Sequence, residues 1–132
     1  MELGMRTRLE LPYEQAVQQT TEALKAEGFG VLTQIDVQAV MKQKLNADFR
    51  RYVILGACNP PFAHRSLSAN LDVGLLLPCN VTVYEEGEGC VVTAVDPVVM
   101  LGAFAEDAKL HDIAAEVRGK LQRVIDSLRA TV

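Results

Sequence analysis

The sequence predicts an α+β domain of two layers, an antiparallel sheet with helices on one face. Two observations carry that prediction. The apolar period switches several times between two and about 3.6 along a chain with no repeat, linker or low-complexity segment. In addition, 132 residues with 49% apolar and 23% charged content are enough for one compact domain with a real core and too few for two.

The elements follow in order. Leu3, Met5, Thr7, Leu9 and Leu11 alternate with Glu2, Arg6, Arg8 and Glu10, as a half-buried strand should, and Pro12 ends the run. Tyr13, Ala16, Val17, Thr20 and Leu24 then recur at helical spacing, with Gly28 or Gly30 as the left-handed stop. Val31, Thr33 and Ile35 begin a second strand. Asp36 is placed to cap a short peripheral helix carrying Val37, Val40, Met41 and Leu45.

Tyr52 to Ala57 reads as a strand with two apolar faces, Tyr52 and Ile54 on one and Val53, Leu55 and Ala57 on the other. In a two-layer domain helices cover one of those faces, so the other needs further cover, most simply a second subunit. A homodimer is the expectation. Val81 and Val83 against Thr82 and Tyr84, the acidic tip Glu85 to Gly89, and Val91 to Val95 make a hairpin. The last segment stripes Leu110, Ile113, Val117, Leu121, Val124, Ile125 and Leu128 along a long closing helix.

Charge and composition exclude several classes. A net charge of -4 and a pI near 5.1 argue against a nucleic-acid partner, which needs clustered Lys and Arg. The longest uncharged apolar run, Pro97 to Ala105, falls well short of the roughly 20 residues of a membrane-spanning helix, so no membrane partner is expected. The opening residues carry no basic start with a long apolar run behind it, so the expected location is cytoplasmic. Three cysteines in that setting are expected as thiols, their spacing matches no zinc pattern, and no metal site is expected. No cofactor motif stands out.

Candidate site residues come from two short words, Ala57-Cys58-Asn59-Pro60-Pro61 and Leu77-Pro78-Cys79-Asn80. Each sets Cys-Asn beside proline, and the two bends would gather two thiols and two amides. Asn59 and Pro60 both precede a proline and are biased away from helical geometry, so a helix is expected to start at Pro61, just after Cys58. There the helix dipole would favour a Cys58 thiolate, and the amides of Phe62, Ala63 and His64 would face an anion. His64 is the candidate base or proton shuttle for Cys58, although no acidic residue is placed to orient its ring. The plainer readings stand beside these: core packing for Cys58, Cys79 and Cys90, turn formation for Asn59 and Asn80, and surface or dimer contact for His64. The run Pro97 to Ala105 packs on the core or a dimer interface, or else forms one wall of an apolar pocket whose other wall is the two bends.

Gly56 to Arg65 reads GACNPPFAHR, with Ile54-Leu55 before it and LLLPCNVTVYEEG from Leu75 to Gly87 after it. In that order and spacing the chain resembles the bacterial and archaeal domain-of-unknown-function family number 302 over nearly its whole length. The resemblance implies a β-α-β(4)-α arrangement of TATA-binding-protein-like topology with short inserted helices, and dimers. It implies no catalytic residue. Likeness to that DNA-binding saddle does not carry DNA binding across, because fold is not function and the charge has the wrong sign.

Three functions follow as expectations. The first is a homodimeric module binding a small apolar or mixed ligand, or a protein partner, near Cys58, Asn59, His64, Cys79 and Asn80. The second is a thiol-dependent redox or sulfur-transfer activity with Cys58 as nucleophile and Cys79 as resolving thiol. The third is an assembly domain with no small ligand.

Overall fold

The computed structural model describes residues 2–129. Alternation builds the first strand, β1 (Gly4–Leu9), which turns Met5, Thr7 and Leu9 inward and Arg6 and Arg8 to solvent. Helix α1 (Tyr13–Ala26) buries Ala16, Thr20 and Leu24 along one stripe. The Thr20 hydroxyl, which would otherwise be an orphan in the core, donates to the Ala16 carbonyl at 2.7 Å. Gly28, at φ +85°, ends the helix in the left-handed region that a residue without Cβ enters freely.

Strand β2 (Gly30–Asp36) carries a register shift between Val31 and Thr33, which leaves Leu32 as an extra residue beside its partner strand. Asp36 caps α2 (Val37–Leu45) by accepting from the Ala39 N–H at 3.0 Å, and no residue of that helix is buried. Strand β3 (Tyr52–Cys58), helix α3 (Pro60–Ala69), a 3-10 segment (Leu71–Leu76), β4 (Cys79–Glu86) and β5 (Gly89–Val95) follow. The chain then forms the one-turn helix α4 (Pro97–Met100), a 3-10 turn (Gly102–Phe104) and the long α5 (Ala108–Arg129).

One boundary differs from expectation. Helix α3 starts at Pro60, not Pro61, because the Asn59 carbonyl accepts from the Ala63 N–H at 2.9 Å and both prolines sit in the first turn, where their missing N–H groups break no helical bond. The apolar stretch Leu75 to Leu77 is no strand. Asn70 accepts from the Asp72 N–H at 2.9 Å and nucleates a 3-10 segment there, and the ladder begins after the cis Leu77–Pro78 bond.

The sheet order is β1-β5-β4-β3-β2, with every neighbouring pair antiparallel. Strands β1 and β2 are consecutive in the chain yet form opposite edges, so α1 must cross the sheet between them. Helices α1 and α5 pack together over the face that presents Leu9, Val53, Leu55, Val81, Val83 and Val92. The α5 stripe is the one read from the sequence, with Ala114 added. A smaller cluster of Val73, Leu101, Leu110 and Ala114 lies beneath the 3-10 segment and α4. Among the described residues no long helix packs on the opposite sheet face, and there the Tyr52 and Tyr84 rings stack at 5.3 Å. This is the β-α-β(4)-α arrangement with short helices inserted between strands.

Candidate functional site

Both Cys-Asn-proline words end at one apolar cavity of about 300 Å³. Strand β3 delivers Ala57 and Cys58 to it, and the α3 turn delivers Asn59, Phe62, Ala63 and Ser66. The 3-10 segment ends at Leu77, and the cis bond that follows brings Pro78 and Cys79 in from the other side. Helix α5 forms the floor through Ile113, Ala114 and Val117. The uncharged run supplies Pro97, Met100 and Leu101 as a further wall.

That wall is held by Asp96. Its Oδ1 accepts from the Val98 N–H at 2.9 Å, starting α4, while its Oδ2 receives Arg118 Nε of α5 at 2.9 Å. The carboxylate that precedes the apolar connection is thus tied down twice. Asn59 ties the opposite side. Its side-chain N–H donates to the Glu27 carbonyl at 3.4 Å, joining the start of α3 to the end of α1.

The structure brings Cys58, Asn59 and Cys79 together and sets His64 and Asn80 apart from them. On α3 the cavity-facing residues are Phe62, Ala63, Ser66 and Leu67, spaced as one helical face; His64 falls off that face, exposed, beside Arg65, Ser68, Lys109 and Asp112. Asn80 follows Cys79 on a strand and so points to the other side, where it joins Arg6, Tyr52, Thr82 and Tyr84 on the open sheet face. The two thiols share the cavity, but the two amides do not. The α3 start offers little of an anion cradle, since Pro60 and Pro61 have no N–H and the Ala63 N–H is taken by the Asn59 carbonyl, which leaves the Phe62 N–H.

The thiols differ in environment. Cys58 is half-buried on the cavity wall, whereas Cys79 and Cys90 are buried. Burial pushes the Cys79 thiol up to about 11, and neighbouring Cys58 adds in the same direction. Burial also raises Cys90, whose sulfur donates to the Leu11 carbonyl at 3.6 Å. Among the described residues, no group of three or more His, Cys, Asp or Glu is placed to hold a metal ion.

The raised Cys79 value predicts a pH-dependent stability. From about 9 to about 11 the unfolded thiol releases its proton while the folded one keeps it, so folding weakens as pH rises through that window. Two pKa units correspond to on the order of 2–3 kcal/mol. Urea titrations at neutral and alkaline pH should therefore show a decline in the native chain that Cys79→Ala flattens; equal slopes in the two proteins would contradict it.

Sequence reasoning missed Leu32. It lines the cavity while 68% exposed, which places it at the rim. The register shift in β2 re-aims it there, and the consecutive apolar pair Val31-Leu32 in an otherwise alternating strand was the available signal. The floor from α5 was legible only as core.

The comparisons with known proteins bear on this geometry. The family model for Domain of unknown function DUF302 matches residues 5–128. Among solved structures, the chain is similar to that of an uncharacterized conserved protein DUF302 from Bacillus stearothermophilus, with a TM-score of 0.89 and 33% identity, covering 98% of this chain and 100% of that one. No curated protein matches. No helix among the described residues is long and apolar enough to cross a membrane.

Proposed function

Since this chain belongs to the Domain of unknown function DUF302 family, a description that assigns no chemistry, we propose from the cavity itself that the protein is a small-molecule-binding domain. The ligand sits between the Cys58-Asn59 bend and the Pro78-Cys79 bend. One observation carries the reading: two separate sequence words, the irregular stretch of β2 and an uncharged run all converge on one space of about 300 Å³. Small-molecule sites are concave, mostly apolar clefts with a few polar groups, and this one, open on the side of Leu32, has that form. Cys58, Asn59 and Cys79 are its contact residues, while His64 and Asn80 serve other surfaces.

Isotope-labelled protein titrated with n-octanol, indole, octanoate and phenyl phosphate tests the reading. At least one of them should shift the backbone amides of Ala63, Ser66 and Ala114. Ala63→Phe, which fills the space, should abolish the shifts, whereas Ala69→Phe on the outer side of α3 should leave them. Silence at those amides with all four compounds would end the proposal.

The protein is further proposed to be a homodimer through the open sheet face. Tyr52, Ile54, Thr82 and Tyr84 are half-buried there with no long helix over them, and Ile35 stands 48% exposed beside Ile54. Light scattering should give about twice 14.4 kDa at micromolar concentration, and Ile54→Lys should return the mass to 14.4 kDa. A native mass of 14.4 kDa would contradict the dimer.

Thiol chemistry has weaker support. The neutral, buried Cys79 is a poor resolving partner, and the exposed His64 faces another groove. Iodoacetamide mapping should find Cys58 modified first, on exposure alone, with a rate that His64→Ala leaves unchanged.

A further inference from the structure

We propose that the cavity selects a neutral, hydrocarbon-rich molecule of about a dozen non-hydrogen atoms and rejects carboxylates and phosphates of the same size. The inference deepens the small-molecule reading above and rests on it. Its first support is the lining: among the described residues that bound the cavity, none is charged. Phe29, Phe62, Leu67, Met100, Ile113 and Val117 give most of the surface over to carbon.

The second support is the helix start. The N-terminus of α3 is the place where an anion would ordinarily be held, by free N–H groups and the helix dipole. Here the sequence removes most of those donors. Pro60 and Pro61 carry none, and the Ala63 N–H is bonded to the Asn59 carbonyl at 2.9 Å, which leaves the Phe62 N–H alone in the first turn. No Lys, Arg or His side chain lines the space to make up for them. The Asn59 amide is turned to the Glu27 carbonyl at 3.4 Å, and burial keeps the Cys79 thiol protonated. An ionised ligand group entering this space would lose its water and find no counter-charge, a cost that an alcohol, ketone or arene does not meet.

Size follows from volume. A dry apolar cavity of about 150 Å³ holds benzene, so one of about 300 Å³ accommodates roughly twice the atoms. Linear eight-carbon chains and bicyclic arenes fall in that range.

The same four compounds, titrated by calorimetry at neutral pH and located by the Ala63, Ser66 and Ala114 amide shifts, decide the matter. n-Octanol should bind at least about tenfold more tightly than octanoate, and indole at least about tenfold more tightly than phenyl phosphate. Equal or tighter binding of either anion at those amides would overturn the neutral class while leaving a binding cavity in place. Absence of all four from those amides would overturn the binding reading itself.

Discussion

Gly56→Ala is expected to destabilise the domain by about 3 kcal/mol, near the upper end for overpacking. A Cβ at this position would meet Thr33 Oγ1 of the neighbouring strand and come within 2.7 Å of Pro78 Cγ. The hydroxyl can rotate away, but a proline ring fixed between Leu77 and Cys79 cannot. The glycine is therefore what lets Pro78 lie against β3 and deliver Cys79 to the cavity. Denaturant titration of the variant gives the cost, and Thr33→Ala added to it should recover less than half, since the contact with the ring remains. An unchanged midpoint in Gly56→Ala would show that the Pro78 bend moves freely, and the cavity wall with it.

Leu121→Ala is expected to cost about 2–5 kcal/mol, a large share of the roughly 5–15 kcal/mol by which domains are stable. Leu121 is fully buried near the middle of the α5 stripe, in the main core rather than at the cavity. Removing its methyl groups leaves a hole bounded by sheet and helix backbones, which collapse poorly. Because the site lies further along the same helix, the variant should keep the ligand-dependent shifts at Ala63 and Ser66 wherever it remains folded. A midpoint within error of the native one would mean that α5 is not docked as described.

Much of the fold was legible because its signals are local. The alternation of Met5, Thr7 and Leu9 against Arg6 and Arg8, the cap at Asp36, the stop at Gly28 and the stripe from Leu110 to Leu128 each depend on a few neighbours, and each is present. The candidate site was legible in part. Of the two readings of the run Pro97 to Ala105, the pocket wall and core packing, both hold in part: Pro97, Met100 and Leu101 line the cavity with residues of both bends, and Leu101 is also buried in the smaller cluster. The grouping of Asn80 and His64 with the thiols could not survive geometry already present in the sequence. Asn80 is one residue from Cys79 on a strand, and His64 lies off the Ala63-Ser66-Leu67 face of a helix. Leu32 and the 3-10 segment were harder to read. A bulge is fixed by pairing with a distant strand, and Leu75 to Leu77 is apolar enough for a strand while its first two residues belong to the 3-10 segment that follows the Asn70 turn.

The placement of β1 and β2 at opposite edges also sets an order of assembly. Strands β2, β3, β4 and β5 follow one another and can zip as successive neighbours, but residue 4 must wait for residue 95 before β1 has a partner. Of the five strands β1 comes first in the chain, and its pairing with β5 closes the longest loop in the sheet, so it is the contact that costs most in loop entropy. A strand with one apolar side is open to association with other chains until it is paired. Arg6 and Arg8 occupy its other side. Arg8 pairs with Glu10 and Glu86 once the sheet is closed, and before closure charges at such positions oppose pairing with copies of the same strand.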